Sequence, residues 1–196
     1  MIDTKDDQVL ATLDLPVTPE FPVADGKGNM YDNIEDKSEI VHFDARSRKL
    51  LATWPVTPGE SPSGLAIDRA HGMLFSACGN GKMAIVSTAT GKVVAMPTIG
   101  DGPDAARFSV DGGYAFSSNG ESGTLTAVRE DSPQHFTVVQ NLPTEKGART
   151  LTLSPDGSKV YLVTAKFGPR PTATPGQSHS RPPMVPGSFT VIVVGK

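Results

Sequence analysis

The chain has one cysteine, Cys78, in 196 residues, so no internal disulfide can form, and at this length it can bury enough apolar surface to be stable without one. It lacks any apolar run of about 18 residues, the length a membrane-crossing helix needs. Its first residues, Met1 to Asp7, are polar and acidic, whereas an export signal places a basic stretch before an apolar one. On these residues the chain is expected to be soluble, and cytoplasmic unless an upstream signal is missing. Met1, Ile2 and Asp3 nevertheless read as the tail of a strand already under way, and an upstream segment carrying a signal peptide would make the protein periplasmic or extracellular.

Charge of one sign is also missing. Eighteen basic against 21 acidic residues leave a formal charge of −3, which gives no overall attraction to duplex DNA. The four histidines, His42, His71, His135 and His179, show no pair at metal-ligand spacing, so no zinc site is expected and no metal ligand is assigned. No C-x-x-C-H haem attachment, G-x-S-x-G elbow or Ser-His-Asp order is present. The glycines at Gly100, Gly102, Gly120 and Gly123 do not open helices, so they lack the context for cradling phosphate.

What is abundant is punctuation. Seventeen prolines and 20 glycines, with 37% hydrophobic residues, suit many short strands joined by tight turns. Asp25, Asp68, Asp111 and Asp156 stand 43, 43 and 45 residues apart, within the size range of a four-stranded propeller blade. Around each lies the same order of segments. A first strand ends near the Asp, as in Ala105 to Val110 and Thr150 to Leu153, and a turn such as Ser154-Pro155-Asp156-Gly157-Ser158 follows. Second strands carry Met30 and Tyr31, Leu74 and Phe75, Tyr114 and Phe116, and Val160 to Val163. Third strands are expected at Glu39–Phe43, Met83–Val86, Thr124–Val128 and Phe189–Val194, and fourth strands at Leu50–Trp54, Val93–Met96 and Phe136–Gln140.

The fold class expected is therefore all-β, a β-propeller of four-stranded antiparallel blades in one domain over residues 1–196, with blades at about 19–56, 60–99, 103–143 and 147–196. The last blade lacks a fourth strand. The opening segment Gln8–Leu15, QVLATLDL, matches Leu50–Val56, LLATWPV, and is expected to complete that blade, within the chain or across a dimer. Trp54, the single tryptophan, is expected to pack between blades.

Val160-Tyr161-Leu162-Val163-Thr164, Ile2-Asp3-Thr4 and Gly91-Lys92-Val93-Val94-Ala95 resemble the YVTN repeat, and the whole chain is similar to YncE-like β-propellers. The resemblance implies the fold and leaves function open, since propellers carry binding modules, lactonases, oxidoreductases and haem proteins alike. Relatives of this kind are generally seven-bladed, whereas the chain supplies four blades. A four-bladed ring, a piece of a longer propeller, and two copies joined into an eight-bladed ring are the arrangements left. Blades that tile a seven-fold ring suit an eight-fold one better than a strongly curved four-fold one, which favours a second copy as partner.

Ligand sites in propellers lie where the loops from fourth to first strand and from second to third strand converge. The first set offers Glu20, Glu60, Asp104 and Arg149, with Lys146 beside it, and the second offers Glu35, Asn80, Asn119 and Lys166. The largest departure from the repeat is a proline-rich insertion at 167–187, whose Arg170, His179 and Arg181 would serve a lid or docking arm. These residues point first to a non-catalytic binding or scaffold protein that holds a small molecule or a protein partner. A second reading is a hydrolase of lactonase or phosphotriesterase type, in which Glu20, Glu60, Asp104, Asn80 and Asn119 would hold calcium or another divalent cation. A third, suggested by some YncE-like relatives, is single-stranded nucleic-acid binding through Lys146, Arg149, Lys166 and Arg170.

Overall fold

The computed structural model describes residues 2–15, 18–169, 171 and 182–195. They form four antiparallel sheets in propeller-like series and no α-helix; one 3-10 turn spans Glu35–Lys37. The first sheet holds β1 (Pro19–Ala24), β2 (Asn29–Ile34), β3 (Glu39–Asp44) and β4 (Lys49–Pro55). The second holds β5 (Pro62–Asp68), β6 (Met73–Cys78), β7 (Lys82–Ser87) and β8 (Val93–Ala95). The third holds β9 (Pro103–Ser109), β10 (Tyr114–Asn119), β11 (Thr124–Ser132) and β12 (His135–Pro143), and the fourth has three strands, β13 (Thr150–Leu153), β14 (Lys159–Thr164) and β15 (Thr190–Gly195). Each strand pairs with its neighbour in sequence, so every sheet is a meander. No helix among the described residues is long and apolar enough to cross a membrane.

The turns close because side-chain oxygens replace missing ladder partners. Asp25 accepts the amides of Lys27 at 2.7 Å and Asn29 at 3.0 Å, and Asp68 accepts that of Ala70 at 2.8 Å. Asp156 accepts the Ser158 amide at 3.1 Å together with the hydroxyls of Ser154 and Ser158, contacts that pull its carboxyl down to about 2. The register refines the repeat. Asp25 and Asp68 close the inner strands opposite Asn29 and Met73, but the equivalent places in the third and fourth sheets belong to Ser109 and Ser154. Asp111 and Asp156 sit two residues further on, inside the turn.

Burial between sheets explains the strand sequences. Between the first and second sheets Tyr31, Ile40 and Val56 meet Leu65, Leu74 and Val86. Between the second and third, Met73, Phe75 and Ile85 meet Ala106, Ala115 and Val128, with Phe108 stacked on Phe75 at 5.1 Å between ring centroids. Between the third and fourth, Ala105 and Leu125 meet Leu151, Val160 and Leu162. Covered on both faces, β6 is buried along its whole length and reads as an apolar run, MLFSAC, with no alternation. The single cysteine is its last residue and is fully buried. In contrast, β15 is covered on one face, so Val191 and Val193 are more than half exposed while Ile192 and Val194 pack inward. Trp54 lies between sheets, in a ring cluster with Tyr31 and His42 and against Gly91 of the second sheet.

The inner strands succeed one another, β1 on β5, β5 on β9 and β9 on β13. No contact of comparable extent brings β13 back to β1. The expected pairing of Gln8–Leu15 with the fourth sheet is not made within the chain. That segment bridges Ile2 to Val9 and bonds Asp3 to Gln8, and among the described residues it forms no ladder with the outer edge of β15.

Gly64 marks a close approach of neighbouring inner strands: a methyl there would fall 2.5 Å from the Ala106 nitrogen and 2.7 Å from the Asp104 oxygen, both main-chain atoms that cannot turn aside. Gly64→Ala should therefore lower unfolding stability by about 1–3 kcal/mol, as overpacking does, read as a drop in the urea midpoint with an unchanged slope.

Candidate functional site

Antiparallel pairing sets each inner strand's start beside the turn between second and third strands: Pro19 faces Ile34, Pro62 faces Cys78, Pro103 faces Asn119 and Thr150 faces Val163. Loops from all four sheets therefore share one end of the molecule. There Arg149 Nε lies 3.2 Å from Asp104 Oδ2. Burial raises the Glu20 carboxyl, the charge and hydrogen bond of Glu35 raise it further, Asp104 adds to this, and Arg149 opposes it. Of the residues named from the sequence, Glu35, Asp104 and Arg149 thus come within electrostatic reach of Glu20, from the first, third and fourth sheets. Beneath them Asp32 is buried, and its Oδ1 has no hydrogen-bond donor. Burial, with the Glu20 charge, pushes Asp32 up to about 6 against a backbone hydrogen bond from Glu20.

The remaining sequence candidates have other surroundings. Asn80 uses its amide inside the second sheet's loops, donating to Pro58 O at 2.8 Å and accepting from the Glu60 amide at 3.3 Å, which leaves Glu60 exposed beside it. Asn119 is fully buried and bonds Thr126 at 2.9 Å, Thr124 at 3.1 Å and Ser117 at 2.8 Å. Asn33 stands one ladder step before the place that Asn119 holds in the third sheet, and it stitches two sheets, donating to Ser63 O at 2.9 Å and Gly64 O at 3.1 Å. Its counterpart by register in the third sheet is Ser118, whose hydroxyl reaches Arg149 O. Lys166 is exposed at the foot of the insertion, where its amide meets Ser188 Oγ at 3.0 Å and a bridge joins Phe167 to Met184. His179, Arg170 and Arg181 lie outside the described residues.

The opposite end holds a group that the sequence did not disclose. Asp68, at the end of β5, lies 2.6 Å through Oδ2 from His71 Nδ1 in the next turn. Glu130, from β11 of the third sheet, places Oε1 3.1 Å from the same nitrogen. The side chains of Asp68 and Glu130 are each 3% exposed, whereas that of His71 is 52% exposed. A cleft of about 430 Å³ runs past Asp68, lined by Phe21, Val23, Ile67, Phe108 and Arg107. Arg107 lies 4.6 Å above the Phe21 ring, and burial lowers its pKa. Nothing in the spacing links Asp68 and His71 to a glutamate 59 residues beyond His71. A second-to-third-sheet contact at this end could be sought only once the register was known.

No protein-family profile matches the chain, and no curated protein does. Among solved structures it is similar to a hydrazine synthase of Kuenenia stuttgartiensis, with TM-score 0.68 and 16% identity over 82% of this chain and 46% of that one. It is similar as well to a functionally unknown protein of Desulfotomaculum acetoxidans, with TM-score 0.68 and 17% identity over 84% of this chain and 55% of that one. The likeness is one of fold. The chain spans about half the length of these two structures.

Burial, and then the negative charge of Asp68, push Glu130 up to about 7 from 4.5, with His71 working against both. Folding thus favours the protonated carboxyl, so its contribution to stability is fully present below about 4.5 and is lost as pH rises through about 7. Glu130→Gln, which cannot ionise, should remove that loss. In metal-free buffer the variant is expected to be more stable than the parent at pH 8, by roughly 1–3 kcal/mol, and to have no such advantage at pH 4. Urea unfolding at the two pH values measures it.

Proposed function

We propose that the chain is a binding module of the YVTN-repeat, YncE-like kind, which holds a small polar ligand or a protein partner at the loop end over its axis. The observation that carries this reading is the convergence of Glu20, Glu35, Asp104 and Arg149 from three sheets. An exposed ion pair such as Arg149 with Asp104 contributes roughly 0–1 kcal/mol, so a carboxylate or phosphate on a ligand can take over the guanidinium at little cost. The acidic side of the cluster in turn suits a cation or an amine. The lactonase-like reading has less support, since Asn119 is committed inside its sheet and Asn80 to its own loop. Single-stranded nucleic-acid binding has less as well, since Arg149 faces a carboxylate.

A thermal-shift screen of small anions, amino acids and short peptides tests the site. Compounds that raise the melting temperature of the parent should lose the effect in Arg149→Ala and keep it in Arg48→Ala, whose arginine lies in a turn of the first sheet. Hits indifferent to Arg149→Ala would place binding elsewhere.

A second observation concerns assembly. Among the described residues two sheet ends stay open, β15 with no strand paired on its outer edge and with Val191 and Val193 exposed, and the first sheet with Leu50 and Leu51 about half exposed on β4. Unpaired apolar edges favour strand addition, and a second copy would supply both a strand and further blades. The mass in solution should therefore be that of a dimer, and Val191→Lys with Val193→Lys should shift it to one chain. A parent that sediments as one chain at every concentration would refute the assembly.

A further inference from the structure

We propose that Asp68, His71 and Glu130 form a divalent-cation site between the second and third sheets, suited to Zn²⁺ and neighbouring first-row ions rather than to Ca²⁺ or Mg²⁺. The three donor atoms, two carboxylate oxygens and one imidazole nitrogen, all lie within 4.8 Å of one another. The donor count makes the case. His71 Nδ1 carries at most one hydrogen, and Asp68 Oδ2 takes it at 2.6 Å. Asp68 Oδ1 is served by the Ala70 amide. Glu130 is left with both oxygens buried and without a hydrogen-bond donor, although it touches His71. A buried carboxylate in that condition is costly, and a cation held by all three groups satisfies it.

The spacing is suitable. Two ligands about 2.1 Å from one ion, at octahedral or tetrahedral angles, are roughly 3.0–3.4 Å apart. His71 and Glu130 are already 3.1 Å apart, while His71 and Asp68 at 2.6 Å need a small opening. The ligand atoms are anchored through the backbone from both sides. Asp68 pairs with Met73 in the ladder, and the amide of Glu130 bonds Gly113 O at 2.8 Å. One nitrogen with two carboxylates matches borderline ions, and nitrogen-containing sets rank Zn²⁺ above Mn²⁺. Ca²⁺ needs six to eight oxygens and Mg²⁺ keeps its waters. The exposed flank of His71 leaves a coordination position open to water or to a ligand, beside the cleft that Asp68 lines. The site is remote from the loop end and does not depend on the binding reading made for it.

The chain, stripped with EDTA and returned to chelator-free buffer at pH 7.5, is titrated by calorimetry with ZnCl₂, MnCl₂ and CaCl₂ separately. One Zn²⁺ per chain is expected, bound more tightly than Mn²⁺, with no uptake of Ca²⁺. Glu130→Gln and His71→Ala should each weaken Zn²⁺ binding at least about tenfold, with circular dichroism matching the parent, while His135→Ala and Arg149→Ala leave it unchanged. In the parent itself, Zn²⁺ should shift the side-chain nitrogen resonances of His71 and not those of His42, a readout that needs no variant to fold. No stoichiometric uptake, uptake that persists in both ligand variants, or an unmoved His71 would overturn the site.

Discussion

The main constraint on this molecule is the close passage of neighbouring inner strands. At Gly64 the backbone of β5 runs so near that of β9 that no side chain fits between them, and around this point polar groups hold sheet to sheet: Asn33 to Ser63 O and Gly64 O, Ser63 Oγ to Asp104 O at 3.0 Å, Ser118 to Arg149 O. These bonds satisfy backbone groups that a sheet edge would otherwise leave unpaired in the interior. They also determine where the loops fall. Asp104 and Arg149 are held by the same segments that make the stitches, so the charge cluster at the loop end is a consequence of how the sheets are joined.

Strand positions were legible in the sequence because each sheet repeats local chemistry: a turn rich in Gly, Asp and Ser, then a run of β-favouring residues. The expected third strand Glu39–Phe43 is observed as Glu39–Asp44, and the expected fourth strand Phe136–Gln140 lies within His135–Pro143. Exact register was not legible. Asp111 and Asp156 look like counterparts of Asp25 and Asp68, yet they occupy turn positions whose second-sheet counterpart is Ala70, because Ser109 and Ser154 can end an inner strand as well as Asp can. A shift of two residues keeps a side chain on the same face, so the hydrophobic pattern does not expose the slip.

Closure and the second cluster were hidden for a different reason. Gln8–Leu15 has the composition of a fourth strand, but pairing needs an edge in register, and among the described residues it makes no ladder with β15. Composition specifies what a segment can pair with and leaves open where a partner lies. The Asp68, His71 and Glu130 group likewise depends on which sheet follows which. In the equivalent ladder place to Glu130 the first sheet has Ala45 and the second has Thr88, each bonding the glycine carbonyl across the turn as Glu130 does. The repeat thus supplies a fixed backbone socket, and the third sheet alone of these three fills it with a carboxylate.

That socket also explains why the carboxylate tolerates burial. Glu130 is placed by a backbone hydrogen bond to Gly113 and by ladder pairing with Phe136, neither of which involves its charge. Phe136 in turn packs edge-on against Phe75 of the second sheet at 5.9 Å between centroids. The apolar contact between the two sheets thus brings Glu130 against Asp68 and His71 whatever their ionisation. Hydrophobic packing is indifferent to pH, while the group it assembles is not. The interface can therefore respond to a proton or a cation at one end while its packed centre keeps the sheets in place.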